Sequence, residues 1–70
     1  MIKLLAYTEQ EAYYQTESGS CIYINPGKNI NEPARGSDVA RAIKRGFTKS
    51  DEEFSTLEDF QNALVRTFGV

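Results

Sequence analysis

The chain has no histidine and no tryptophan, and only one cysteine and two prolines among its 70 residues. Without an imidazole it lacks the side chain that most often serves as general base, proton shuttle or metal ligand near neutral pH. The Ser-His-Asp and Cys-His arrangements of nucleophilic catalysis are therefore excluded. One cysteine cannot close an internal disulfide, whereas secreted domains of this size are normally disulfide-dense, so a reducing, cytoplasmic setting is expected. No apolar run approaches a membrane span, and Ile2-Lys3-Leu4-Leu5-Ala6-Tyr7 is too short for the apolar part of a signal peptide. Met1 reads as the native start of a free-standing small protein, and no membrane partner is expected.

What is present is ordinary for a globular protein: 40% hydrophobic and 26% charged residues, with four Tyr and four Phe. Residues 1–70 form one small domain, near the lower size limit at which a single core sustains a fold. Folding at this size buries only about 60% of the unfolded surface, for a net stability of roughly 3–5 kcal/mol. Association with a second copy would add to that, so a homodimer stays open. A net charge of −2 lacks the general attraction to phosphate on which most nucleic-acid binders rely. The charges are sorted by region: Arg35, Arg41, Lys44, Arg45 and Lys49 precede Asp51, Glu52, Glu53, Glu58 and Asp59.

The run Ile2–Tyr7 reads as a first strand with Ile2, Leu4 and Ala6 on one face. Cys21, Ile22, Tyr23 and Ile24 form a stronger strand, ending at Asn25-Pro26-Gly27-Lys28, where Pro and Gly suit the central positions of a type II turn. Between them, Thr8 with Glu11 is a capping-box pattern that argues for a helical turn. Tyr13-Tyr14-Gln15-Thr16 followed by Glu17-Ser18-Gly19-Ser20 argues instead for a strand and a hairpin turn. The second alternative gives a three-stranded meander, more stable than a lone hairpin.

Asn29–Gly36 reads as a polar loop, with Ser37 as the N-cap of a helix over Asp38–Phe47. Val39, Ala40, Ala42, Ile43, Gly46 and Phe47 lie on one side of it, and Arg41, Lys44 and Arg45 on the other. A second helix starts at Ser55 or Thr56, with Glu58 or Asp59 at its third position. It carries the stripe Leu57, Phe60, Leu64 and Phe68 and stops at Gly69. The expected fold is α+β: a small two-layer domain with an antiparallel two- or three-stranded sheet in the order β-β-β-α-α. Both helices pack on one face, and Glu53-Phe54-Ser55 could add an edge strand. Leu4, Ile22, Ile24, Val39, Ile43, Phe47, Phe60, Leu64 and Phe68 form the expected core.

Cys21, inside a strand, reads as a small buried hydrophobe. Asp51-Glu52-Glu53 lacks the spaced ligands and glycine turn of a calcium loop and stands just ahead of a helix start, where negative charge is favourable. Gly36-Ser37-Asp38 opens a helix but is no phosphate loop. Catalytic residues, metals and cofactors are therefore not expected. Two surfaces stand out. The basic cluster Arg35, Arg41, Lys44, Arg45 and Lys49 is a solvated face, a docking patch for an acidic protein, or a nucleic-acid contact. Tyr13, Tyr14 and Tyr23, with Tyr7, either present an aromatic patch on an open sheet face or cover the edge of a thin core.

These readings point to a non-enzymatic binding protein that regulates or inhibits a larger protein or protein complex by contact. A second reading is a small nucleic-acid-binding or transcription-regulatory protein that uses the basic helix. In size, format and layout the chain is similar to small phage or mobile-element proteins, anti-CRISPR inhibitors among them, a likeness of format that rests on no motif.

Overall fold

The computed structural model describes residues 1–68, with side-chain surroundings through Arg66. Its strands are β1 (Ile2–Tyr7), β2 (Ala12–Gln15), β3 (Cys21–Asn25), β4 (Ile30–Ala34), β5 (Thr48–Lys49) and β6 (Glu53–Phe54), and its helices are α1 (Gly36–Lys44) and α2 (Leu57–Phe68). Every strand pairing is antiparallel. The sheet runs β4-β3-β2-β1, with β5 and β6 both on the outer side of β1. The class is α+β, but the sheet has six strands among the described residues where two or three were expected. The order becomes β-β-β-β-α-β-β-α.

The meander follows from local turn chemistry. Thr8 and Glu11 cap no helix. Thr8 Oγ1 accepts from the backbone N–H groups of Gln10 and Glu11, both at 3.2 Å, and Thr8 N donates to the Glu11 carbonyl at 2.8 Å, which closes the β1–β2 turn. The β2–β3 turn needs Gly19, whose φ of 87° lies in the left-handed region, and it is clamped by Thr16 N donating to Ser20 O at 2.9 Å. After β3 the expected type II turn is replaced by one turn of 3₁₀ helix, Pro26–Lys28. The Asn25 side chain accepts from Lys28 N at 3.3 Å, and left-handed Asn29 (φ 55°) reverses the chain. That reversal places Ile30 opposite Asn25, so most of the expected polar loop is the edge strand β4. Pro33 is tolerated there because an edge strand has one side without a ladder partner.

Strands β5 and β6 act as one interrupted edge. Tyr7 faces Thr48 and Ile2 faces Phe54, while Ser50 N donates to Leu5 O and Leu4 N to Glu52 O across the break.

A bulge in β1 decides which face each residue serves. Leu4 lies opposite Tyr14, but Ala6 lies opposite Tyr13, so Leu5 is the extra residue. Ala6 is thereby moved off the face of Ile2 and Leu4, where simple alternation put it. One face carries Ile2, Leu4, Tyr7, Ala12, Tyr14, Ile22 and Ile24. The other carries Ala6, Tyr13, Cys21 and Tyr23.

The helices take one face each, which corrects the expected two-layer arrangement. Strands β4 and β5 lie at opposite ends of the sheet, four strand spacings or about 19 Å apart. Helix α1, with nine residues and about 13.5 Å of length, carries the chain across the Tyr13–Tyr23 face. Phe47, just past its end, packs on Tyr13 with ring centroids 5.8 Å apart. Helix α2 then covers the opposite face, where Phe60 meets Tyr14 at 4.5 Å and Phe54 at 5.4 Å.

The helix ends also differ from expectation. The N-cap of α1 is Arg35 rather than Ser37. Its backbone N donates to the Asp38 carboxylate at 2.9 Å, so Asp38 in the first turn holds the chain entry. The helix ends earlier than Phe47. Phe47 N donates to Ala42 O and Gly46 N to Ile43 O, with Gly46 at φ 113°, a Schellman stop that only glycine adopts readily. For α2 the cap is Thr56, whose Oγ1 accepts from Asp59 N at 3.1 Å.

The buried apolar residues are Ile2, Ala6, Ala12, Tyr14, Ala42, Phe60 and Leu64, with Leu4, Ile22, Ile24 and Phe54 packed at partial burial around the α2-side cluster. Of the expected core, Phe60 and Leu64 are buried. Leu4, Ile22, Ile24, Val39, Ile43 and Phe47 are half-buried. The core place read for Phe68 and the stop read at Gly69 fall outside the described side chains and residues.

Candidate functional site

The α1 side of the sheet carries most of the expected site residues. Arg41 and Arg45 flank a cleft of about 110 Å³ whose floor includes Tyr13 and Phe47, with the carboxylates of Asp38 and Glu11 in the same wall. That volume is too small for a drug-sized ligand, so these side chains act at a surface and not around an enclosed guest. Lys44 and Arg35 are exposed outside the cleft. Lys49 is separated from the other four. It sits on β5 opposite Ala6. The single basic cluster of the sequence is thus a group of four around α1 plus one lysine at the far edge of the sheet.

The tyrosines are divided by the sheet itself. Tyr14 is 7% exposed against Phe60 and belongs to the core. Tyr13 and Tyr23 are half-buried on the α1 face, 5.1 Å apart. No open aromatic face of all three exists, because α1 and α2 each cover one side.

Beside Tyr23 lies a polar network that the sequence did not announce. Tyr23 Oη donates to Glu11 Oε2 at 2.6 Å, and the Asn25 amide donates to the same oxygen at 3.3 Å. Asn25 is only 5% exposed, yet it is satisfied on both sides, since its carbonyl oxygen accepts from Lys28 N. Tyr23 and Asn25 stand two apart on one strand, the spacing that puts them on the same face, and this was the available signal.

Burial foremost, then the Asp38 and Glu11 charges, holds the Tyr13 hydroxyl above its ordinary pKa. Burial foremost, then the hydrogen bond to Glu11, does the same for Tyr23. The folded chain therefore keeps these protons to higher pH than the unfolded chain does. Their contribution is intact below about pH 10 and is lost as pH rises through the folded values. Thermal melts are expected to drop above about pH 10, and to drop less steeply for the double variant Tyr13→Phe, Tyr23→Phe. An equally steep alkaline loss in that variant contradicts the assignment.

Cys21 is half-buried, and burial together with Asp38 pushes its thiol up, away from the reactive thiolate. The acidic run does not cap α2. Asp51 reaches Lys3 at 3.9 Å, the Glu52 carbonyl takes the Leu4 N–H, and Glu53 faces Lys3 across β1 and β6. Asp51 and Glu53 thus place opposite charge beside Lys3 at the sheet edge, and Glu52 serves it through its backbone. Among the described residues, no three of Cys, Asp and Glu converge as metal ligands, and no helix is long and apolar enough to cross a membrane.

No family model matches the chain, and no curated protein or solved structure matches it either.

Proposed function

We propose that this protein is a non-enzymatic binding protein that regulates or inhibits a larger protein by covering an acidic surface with the cations around α1. Inhibitors of the anti-CRISPR type are one form that such a protein takes. The observation that carries the reading is the position of Arg35. Arg41 and Lys44 lie in the last turn of α1, where the helix dipole favours positive charge by about 0.3–1 kcal/mol. Arg35 lies at the opposite end, where the same dipole opposes it, so helix stability gives no reason for its charge. It is exposed, as are Arg41, Lys44 and Arg45. The ion pairs among the described residues are Met1–Glu17 and Lys3–Asp51, and neither uses these four cations. A local field of this sign speeds encounter with an acidic partner and fixes its orientation.

The test is capture from a lysate of the source cells by immobilised protein, wild type against Arg35→Glu, Lys44→Glu, Arg45→Glu combined. The expected result is loss of the captured protein by at least about tenfold with an unchanged far-UV spectrum. Equal capture by the charge-reversed form overturns the docking surface. Binding of wild type to duplex DNA that weakens steeply with added salt replaces the reading with a nucleic-acid one. Glu11 and Asp38 in the same cleft speak against that outcome.

A further inference from the structure

We infer that the free edge of β4 is a surface through which two copies of this chain would join their sheets, and that Pro33 and Glu32 together hold it closed. The inference does not depend on the role of the cations of α1.

The hydrogen-bond pattern decides which backbone groups of β4 face outward. Thr16 N donates to Ser20 O at 2.9 Å, so these two form a hydrogen-bonded pair of the β2–β3 ladder, and by alternation so do Tyr14 with Ile22 and Ala12 with Ile24. Cys21, Tyr23 and Asn25 therefore aim their backbone groups at β4, where they meet Ala34, Glu32 and Ile30. Asn31 and Pro33 are left with theirs pointing away from the sheet, the one direction in which a missing prolyl N–H costs no ladder bond. Among the described residues this is also the longer edge. Strand β4 has five residues in a row, whereas the opposite edge is divided between β5 and β6 with two residues each.

A free strand edge is a template for the same strand of a second copy, and Asn31, Glu32 and Pro33 are all exposed. In a two-fold antiparallel pairing centred on Glu32, Asn31 of each copy lies opposite Pro33 of the other. With an ordinary residue at 33, each of these two pairs would exchange two ladder bonds; proline removes one bond from each pair. Moving the axis does not recover them. Centred on Pro33, the central pair has no donor. Centred on Asn31, Pro33 faces Asn29, whose N–H is already given to Pro26 O at 3.2 Å. Glu32 is the second obstacle. At the axis the two Glu32 residues form a non-hydrogen-bonded pair, with Cα atoms about 4.5 Å apart and side chains at their closest, so like charges stand directly opposite.

Light scattering after size exclusion, up to millimolar chain, tests this together with amide hydrogen exchange. Wild type is expected to keep the monomer mass. Glu32→Gln with Pro33→Thr is expected to reach twice that mass and to slow exchange at the Asn31 amide. Pro33→Thr alone should associate about two- to fivefold more weakly, the scale of one like-charge pair. Adding Asn31→Pro, which removes the other outward donor, should return the double variant to monomer. All forms should keep the far-UV spectrum of wild type, because neither position 31 nor 33 gives an N–H to β3. Glu32→Gln with Pro33→Ala, which adds no side-chain bulk, is held to the same outcomes. A folded double variant that stays monomeric overturns the inference. So does a dimer that survives Asn31→Pro, or a wild type that itself dimerises with a slowed Asn31 amide.

Discussion

Replacing Phe60 by alanine is expected to leave the protein largely unfolded at 25 °C. The ring is 1% exposed and is the largest side chain buried so completely. It joins α2 to both the centre and the edge of the sheet, through Tyr14 at 4.5 Å and Phe54 at 5.4 Å. Truncation of a buried Phe costs about 3–5 kcal/mol, which matches the whole stability of roughly 3–5 kcal/mol expected for a domain of this size. Phe60→Leu keeps most of the volume but loses both ring pairs, and should cost about 1–3 kcal/mol, less than the alanine. Leu57→Ala, on the same helical stripe but 50% exposed, should stay within about 0.5 kcal/mol of wild type. Urea titrations followed by far-UV circular dichroism separate the three. A cooperative Phe60→Ala transition within about 1 kcal/mol of wild type would show that α2 is not part of the core.

That contrast between Leu57 and Phe60 marks how far periodicity reaches. A stripe at 3.6-residue spacing identifies a helix and its inner face, but Leu57 is in the first turn and its exposure depends on where the sheet ends. The first three strands were legible because their signals are local, alternating β-formers and a glycine at position 19, although the Thr8–Glu11 pattern, which closes the β1–β2 turn, argued for a helical turn. Strand β4 was not, since Ile30-Asn31-Glu32-Pro33-Ala34 has one strong β-former and a proline, and it is a strand only because the β3 edge offers a ladder. Nor can alternation show a bulge such as Leu5, which moved Ala6 to the other face. One overlooked clue lay in β2 and β3. Ala12-Tyr13-Tyr14 and Cys21-Ile22-Tyr23-Ile24 are apolar on both faces, the pattern of strands covered on both sides. Read that way, the two helices belong on opposite faces. In the candidate site the residue types were legible and their partition was not. Lys49 left the basic cluster for the far edge of the sheet, on β5 opposite Ala6.

The same partition sets the second large expectation, for the tyrosines. Tyr14→Ala should cost about 3 kcal/mol or more, because it opens a cavity under Phe60 and forfeits an aromatic pair that itself contributes about 0.5–1.5 kcal/mol. Tyr23→Ala should cost about 1–3 kcal/mol, since it removes one donor from Glu11 and leaves a half-buried carboxylate with the longer Asn25 contact. Measured by urea denaturation, Tyr14→Ala should therefore be the more severe by a clear margin, and the reverse order would contradict the division of the sheet into two covered faces. Stability alone does not distinguish a core ring from a docking ring, so the discriminating variant is Tyr14→Phe. It keeps the ring against Phe60 and should leave both stability and partner capture unchanged. Capture lost at full stability would place the Tyr14 hydroxyl in the interface and move the docking surface from the α1 face to the α2 side. Capture kept by Tyr14→Phe but lost on charge reversal at Arg35, Lys44 and Arg45 assigns binding to α1, with Tyr13 and Tyr23 as the rings that support that helix from below.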